Sequence, residues 1–271
     1  MIMSILQRII KCPVCNRVIG IESPQCNVCK DLSLQKIDKK SNRSVTFIDF
    51  HPVRQQQNSN LKPQKQKDFI EQLFDNSFMP WFYETVLPTF WAMGLRGWGG
   101  IEKEAIEVSK FFGHEPKTVM DLSCGTGIMT RKLAKSELYQ LVIALDYSES
   151  MLKMLIERID TEKITDSLEN LIVIRGNAES IPLISGSLDA IYAGAAMHCW
   201  SNPRKGVEEV YRVLRPGGKI FATTFAKLLP SQEFYFFTVE ELWSLFQEVG
   251  FKKELLEIKS EGIYFTIKGK K

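Results

Sequence analysis

The chain lacks a large net charge, a Gly- or Pro-rich tract, and an apolar run long enough to span a bilayer. Its 271 residues include only 17 Gly and 11 Pro, with 44% hydrophobic, 11% aromatic and 25% charged residues. That balance excludes collagen-like, low-complexity and disordered classes. The most membrane-like stretch, 78–95, is interrupted or bounded by Pro80, Glu84, Pro88 and Arg96, well short of the roughly 20 clean apolar residues a transmembrane helix needs. No transmembrane segment is expected. Met1–Ile10 has too short an apolar run for a secretory signal, and Lys11 and a cysteine motif follow with no small-residue cleavage site. The expected address is cytoplasmic. This length favours one large α/β domain plus a small appendage, with a substantial core. Nothing in the pattern sets an oligomeric state.

The total of +3 conceals an asymmetry. Residues 1–67 carry 12 Lys+Arg against 4 Asp+Glu, a net of +8, and the remainder carries 23 against 28, a net of −5. The basic end points to an anionic partner, a solvated tail being the bland alternative. Four cysteines in it fall as Cys12-Pro-Val-Cys15 and Cys26-Asn-Val-Cys29, ten residues apart. Two CxxC knuckles at this spacing aim four thiolates at one tetrahedral Zn²⁺, leaving no open position for catalysis. So small a segment has almost no core, so the metal would supply its folding energy. Two disulfides are the alternative, without an oxidising context to favour them. We expect a structural zinc ribbon over 1–50 and a polar linker over 51–68; the strand-like stretch 45–50 would complete the ribbon sheet.

Residues 69–100 concentrate aromatic rings cut by Pro80, Pro88, Gly94, Gly97, Gly99 and Gly100. They read either as helices packed on a core or as a cover over a ring-lined pocket. From 101 to 271, apolar strand-like runs at 118–122, 141–145, 171–174, 188–193 and 219–225 alternate with helical patterns. This is the grammar of a Rossmann-like, mostly parallel, doubly wound sheet. Gly113 closes one helix, Asn202-Pro203 opens another, and Thr238 with Glu241 forms a capping box before a third. Segments 255–258 and 263–267 read as a terminal hairpin.

The first strand of this series runs into Asp121-Leu-Ser-Cys-Gly125-Thr-Gly127. Glycines there allow a ligand close to the backbone, but a carboxylate at the strand end repels a pyrophosphate and attracts a ligand with ammonium and sulfonium groups, such as S-adenosylmethionine. Nineteen positions after Gly127 the next strand ends in Asp146, placed to accept both hydroxyls of a ribose. Arg175-Gly-Asn177-Ala178-Glu179 offers an adenine edge a polar side chain and backbone amides. His198, Cys199 and Trp200 follow the fourth strand, where the pocket opens; His198 reads either as a general base or as a hydrogen-bonded structural histidine.

With 188–190 and Arg212-Val-Leu-Arg-Pro-Gly-Gly218, these segments resemble the successive motifs of class I S-adenosylmethionine-dependent methyltransferases of the ubiquinone/menaquinone (type 11) kind. More narrowly, Asp121–Gly127, 144–151 and Ala193-Gly-Ala-Ala-Met-His-Cys-Trp200 resemble cyanobacterial and plant plastid methyltransferases with a zinc ribbon in front. The ribbon-plus-methyltransferase layout also resembles bacterial 23S rRNA guanine-N1 methyltransferases, whose motif after the fourth strand differs. The resemblance implies a seven-stranded sheet with a terminal antiparallel hairpin and S-adenosyl-L-methionine as methyl donor. It also implies a donor site of Asp121, Ser123, Gly125, Thr126, Gly127, Asp146, Tyr147, Met151, Asn177, Ala178 and Gly194. Asp121 would take the methionine amino group, Asp146 the ribose, and Asn177 and Ala178 the adenine. Ser123 and Asn177 depart from the usual glycine and aspartate, which narrows the loop and offers adenine N6 an amide oxygen. The expected acceptor is a small apolar or quinone-like molecule; RNA, held by the ribbon and basic end, is the alternative, and a non-catalytic donor-binding scaffold the third reading.

Overall fold

The computed structural model describes residues 10, 46–49, 73, 76, 78–85, 100–162, 170–227, 231 and 234–271. Cys12, Cys15, Cys26 and Cys29, the linker 51–68, and 86–99 of the aromatic segment lie outside them. In chain order the elements are β1 (Thr46–Asp49), α1 (Phe78–Thr85), α2 (Gly100–Phe112), β2 (Thr118–Leu122), α3 (Ile128–Lys135), β3 (Leu141–Asp146), α4 (Glu149–Thr161), β4 (Leu171–Arg175), β5 (Leu188–Ala193), α5 (Pro203–Val213), β6 (Leu214–Phe225), α6 (Val239–Val249), β7 (Leu256–Glu261) and β8 (Tyr264–Lys270).

One sheet in the order β1-β4-β3-β2-β5-β6-β8-β7 holds all eight strands, and β8 alone among them runs opposite to its neighbours. Strands β2 and β4 are buried at every position, as near-continuous apolar strands covered on both faces should be. Alternate residues feed two cores. Met120, Ile143 and Ile172 join Val207, Val210 and Phe246 on the face of α5 and α6, while Val119, Val142 and Val173 join Val108, Leu133 and Leu155 on the face of α2, α3 and α4. Local signals place the helix ends. Asn202 accepts from Lys205 N ahead of Pro203, Thr238 and Glu241 close a reciprocal capping box, and Gly113 ends α2 at φ +72°.

Two points correct the expected architecture. Among the described residues the sheet has eight strands rather than seven, because Thr46–Asp49 adds in parallel to β4. Ile48, 1% exposed, finds a ready core there, and the open edge of β4 is covered. Ile10, on the other side of the cysteine segment, bridges Leu183 and is 2% exposed. Among the described residues no helix is long and apolar enough to cross a membrane.

Candidate methyl-donor site

The carboxyl ends of β2 to β5 lie side by side, and accessibility changes there. The strands are buried, while residues 123–125, 146, 147, 177, 194, 195, 198 and 199 keep partial exposure. This is the position where open α/β sheets bind ligands. Backbone bonds lace the strand ends together, with Cys124 N donating to Leu145 O at 3.0 Å and Gly176 N to Asp146 O at 2.8 Å.

Asp146 organises this rim. Its Oδ2 accepts from Gly125 N and its Oδ1 from Ser148 N, both at 2.8 Å. One carboxylate thus fixes the glycine loop and the start of α4, which Ser148 caps through Met151 N. An ionised carboxyl has about four acceptor positions, so two ribose hydroxyls can share it with these amides. Gly125 (φ +55°) and Gly127 (φ +72°) take left-handed conformations that their neighbours in sequence rarely tolerate. Ser123 does so too, at φ +59°, and its Oγ accepts from Trp200 Nε1 at 3.0 Å. The serine keeps a glycine's backbone and gains a tether to the segment after β5.

Asp121 lies below the loop, 1% exposed, with Thr130 Oγ1 donating to its Oδ2 at 2.5 Å. Burial pushes its carboxyl up from 3.8 to about 7, Thr130 opposes that, and the like charges of Asp146 and Glu104 add to it. A nearby cation would favour the ionised form of this carboxyl. A cationic amino group entering the site selects ionised Asp121, so binding below pH 7 must release a proton. We predict that donor affinity weakens about tenfold per pH unit below 7, and falls again once an α-amino group of pKa about 8 deprotonates. Titration calorimetry from pH 5.5 to 9 checks this; a flat profile would remove Asp121 from the contact.

The other expected residues take distinct positions. Tyr147 O accepts from Arg175 Nε at 3.2 Å, and Met151, 2% exposed, faces inward on α4. Asn177 Oδ1 accepts from Glu179 N at 2.8 Å, so the amide oxygen expected at adenine already serves a turn, with Ala178 buried beside it. Thr126 Oγ1 is buried in the loop without a hydrogen-bond partner. At Gly194 an added Cβ would sit 1.9 Å from Tyr192 Oη, so only glycine fits. Sequence reasoning missed Thr130 and Glu104 and gave Trp200 a place but no partner, because their roles depend on neighbours from other elements.

His198 lies in a 3₁₀ turn, Met197–Cys199, ringed by Phe225, Phe234 and Phe236 at centroid distances of 4.9, 5.7 and 6.2 Å. The residue keeps some solvent access, yet its Nδ1 is buried and unpartnered, and burial lowers its pKa to about 4. It is neutral at pH 7 and weakly basic. Cys124 and Cys199 are free thiols with burial raising both pKa values, and neither is an activated nucleophile. Among the described residues no group of three or more His, Cys, Asp or Glu is placed to hold a metal ion.

Residues 120–222 match the model of a methyltransferase domain family. An uncharacterized chloroplastic methyltransferase of Arabidopsis thaliana is 33% identical over 235 residues, covering 81% of this chain and 62% of that protein. A ubiquinone/menaquinone biosynthesis C-methyltransferase of Hydrogenovibrio crunogenus is 32% identical over 146 residues, covering 51% of this chain and 55% of that one. The chain thus spans less than two thirds of either relative. Of solved structures, phosphoethanolamine N-methyltransferase 2 of Haemonchus contortus in complex with S-adenosyl-L-methionine superposes with a TM-score of 0.58 at 19% identity, over 72% of this chain and 45% of that chain; the likeness is one of fold. Strand order, glycine loop and sequence agree in likening residues 120–222 to a methyltransferase domain of Rossmann-like fold.

Proposed function

We propose that this chain transfers the methyl group of S-adenosyl-L-methionine to a small apolar, quinone-like acceptor. The observation that carries the donor half is Asp121, a carboxyl buried beside two like charges at a glycine loop, which a cationic ligand relieves. Asp146 takes the ribose, and the 177–178 turn lies where the adenine follows. In the transfer, an electron pair on the acceptor forms the new bond to the methyl carbon as the carbon–sulfur bond breaks, sulfur keeps the electron pair of that broken bond, and the acceptor's proton passes to solvent. Alignment of the reacting atoms supplies much of the rate, which suits a site with no strong base.

The acceptor half rests on the ring-lined nest at His198. Phe225, Phe234 and Phe236 suit a planar apolar ring, and the unpartnered Nδ1 suits one hydroxyl on it. The quinone-pathway name of the Hydrogenovibrio relative points the same way. His198→Ala should lower kcat/KM about 10- to 100-fold through one lost hydrogen bond in a buried site, with His198→Gln recovering part of it. The kcat/KM profile should show no break near pH 6.5 from this residue. Equal activity in both variants would remove His198 from the acceptor site.

A second reading takes RNA as acceptor, favoured by the net +8 of residues 1–67. RNA retention that falls steeply with salt would support it. For the cysteine module we keep the zinc ribbon as our reading: metal analysis of the purified chain should give about one zinc per molecule, lost in Cys12→Ser or Cys26→Ser. A metal-free, fully stable chain would refute it.

A further inference from the structure

Glu104, on the second turn of α2, is 6% exposed. Its Oε1 accepts from Tyr192 Oη at 2.7 Å and from Thr223 Oγ1 at 3.4 Å, and its Oε2 from Tyr264 Oη at 2.9 Å. The three hydroxyls come from β5, β6 and β8. One carboxylate on the helix ahead of the sheet therefore joins three strands, through bonds that span 88, 119 and 160 positions of sequence.

Two of these three hydroxyls lead into the turn after β5. Tyr192 Oη occupies the space beside Gly194 where a side chain would start. Thr223 Oγ1 donates to Glu104 and accepts from Ala195 N at 2.8 Å. Ala195 is left-handed, with φ +46°, a conformation a non-glycine residue keeps only where its surroundings hold it. The turn held this way lies beside the glycine loop, to which Trp200 also binds through Ser123.

We propose that Glu104 is a positioning residue for the methyl-donor site, setting the Gly194–Ala195 turn against the glycine loop through Tyr192 and Thr223. The inference rests on the donor reading above and extends it to a residue of the segment in front of the sheet. Charge supports it. Glu104 faces Tyr192 from β5, Tyr264 from β8 and Asp121 from β2, and its negative charge is one of those that hold the Asp121 proton in place, Asp146 being the other. A change at Glu104 therefore alters both the shape of the turn and the pH at which the site accepts a cation.

The test is titration calorimetry of the full chain with S-adenosyl-L-methionine from pH 5.5 to 8.5, with circular dichroism confirming the fold of each variant. Glu104→Gln should move the pH of half-developed affinity down and weaken affinity at pH 7.5 about tenfold. Tyr192→Phe, which keeps the charge, should weaken affinity about three- to tenfold while leaving that pH where it was. A folded Glu104→Gln with the unaltered curve overturns the proposal. Should Glu104→Gln fail to fold, Tyr192→Phe and Thr223→Val decide, and unaltered affinity in both overturns it. Absence of binding by the unaltered chain at millimolar donor overturns the donor reading itself, a result distinct from unchanged variants of a chain that binds.

Discussion

At pH 8, Asp121→Asn is expected to melt at a higher temperature than the unaltered chain and to lose the methyl donor. The rise of the Asp121 carboxyl from 3.8 to about 7 means that its ionisation costs about 4 kcal/mol more in the folded protein than in water. The sign follows directly. The folded state holds this proton more tightly than the unfolded chain, so the donor-free protein loses stability as pH rises from about 4 to 7 and stays at the lower level above that. An amide of the same shape keeps the Thr130 hydroxyl as its partner and has no charge to bury. Recovering 1–3 of those kcal/mol should raise Tm by roughly 3–10 °C. On the proposed reading the same change removes the negative charge that would receive an ammonium group, and about a hundredfold or more of donor affinity should go with it. Below about pH 4 the carboxyl is protonated in the folded and unfolded chain alike, so the Tm difference should shrink as pH falls from 7 and vanish there. A variant that is less stable at pH 8, or one that binds donor as before, would show that Asp121 is not held in readiness for a cation.

Asp146→Ala should lose both stability and donor affinity, a contrast that separates the two carboxylates. Here the side chain pairs with Gly125 N and Ser148 N in the donor-free protein. Removing it strands two backbone amides at about 1–3 kcal/mol each, and the glycine loop and the start of α4 loosen together. On the proposed reading two ribose hydroxyls would lose their acceptor as well, so affinity should fall about a hundredfold or more. Asp146→Asn can serve one amide through its single oxygen, and should regain part of the Tm while binding donor poorly. Thermal melts with and without S-adenosyl-L-methionine read both effects at once, since a bound ligand raises Tm only where affinity survives.

What the sequence disclosed of this site was its local part. Asp121, Gly125, Gly127 and Asp146 stand at strand ends and in tight loops, where residue type and backbone demand coincide, and the left-handed φ values of both glycines match that reading. The caps at Asn202 and Thr238 were legible for the same reason, because each bond closes within three residues. Glu104 was hidden: on the helical pattern of α2 it is one acidic residue among several, and its partners arrive from strands far along the chain. The place of β1 was hidden as well. Thr46–Asp49 looked like a strand locally, but its partner, Leu171–Arg175, is chosen by a free sheet edge and a buried seat for Ile48. His198 was found by position, while its character came from three phenylalanine rings, two of them on the segment that folds back over it, with Tyr235 N donating to its carbonyl at 2.9 Å. A histidine in water and one among rings have the same letter and different chemistry.

The most direct test of methyl transfer to a small apolar acceptor is incubation of the purified chain with methyl-tritiated S-adenosyl-L-methionine and a cell lysate, followed by separation into RNA, protein and solvent-extractable fractions. Label in the solvent-extractable fraction, reduced at least tenfold in Asp121→Asn, is the predicted result. Label confined to RNA or protein, or absent from every fraction, would contradict it.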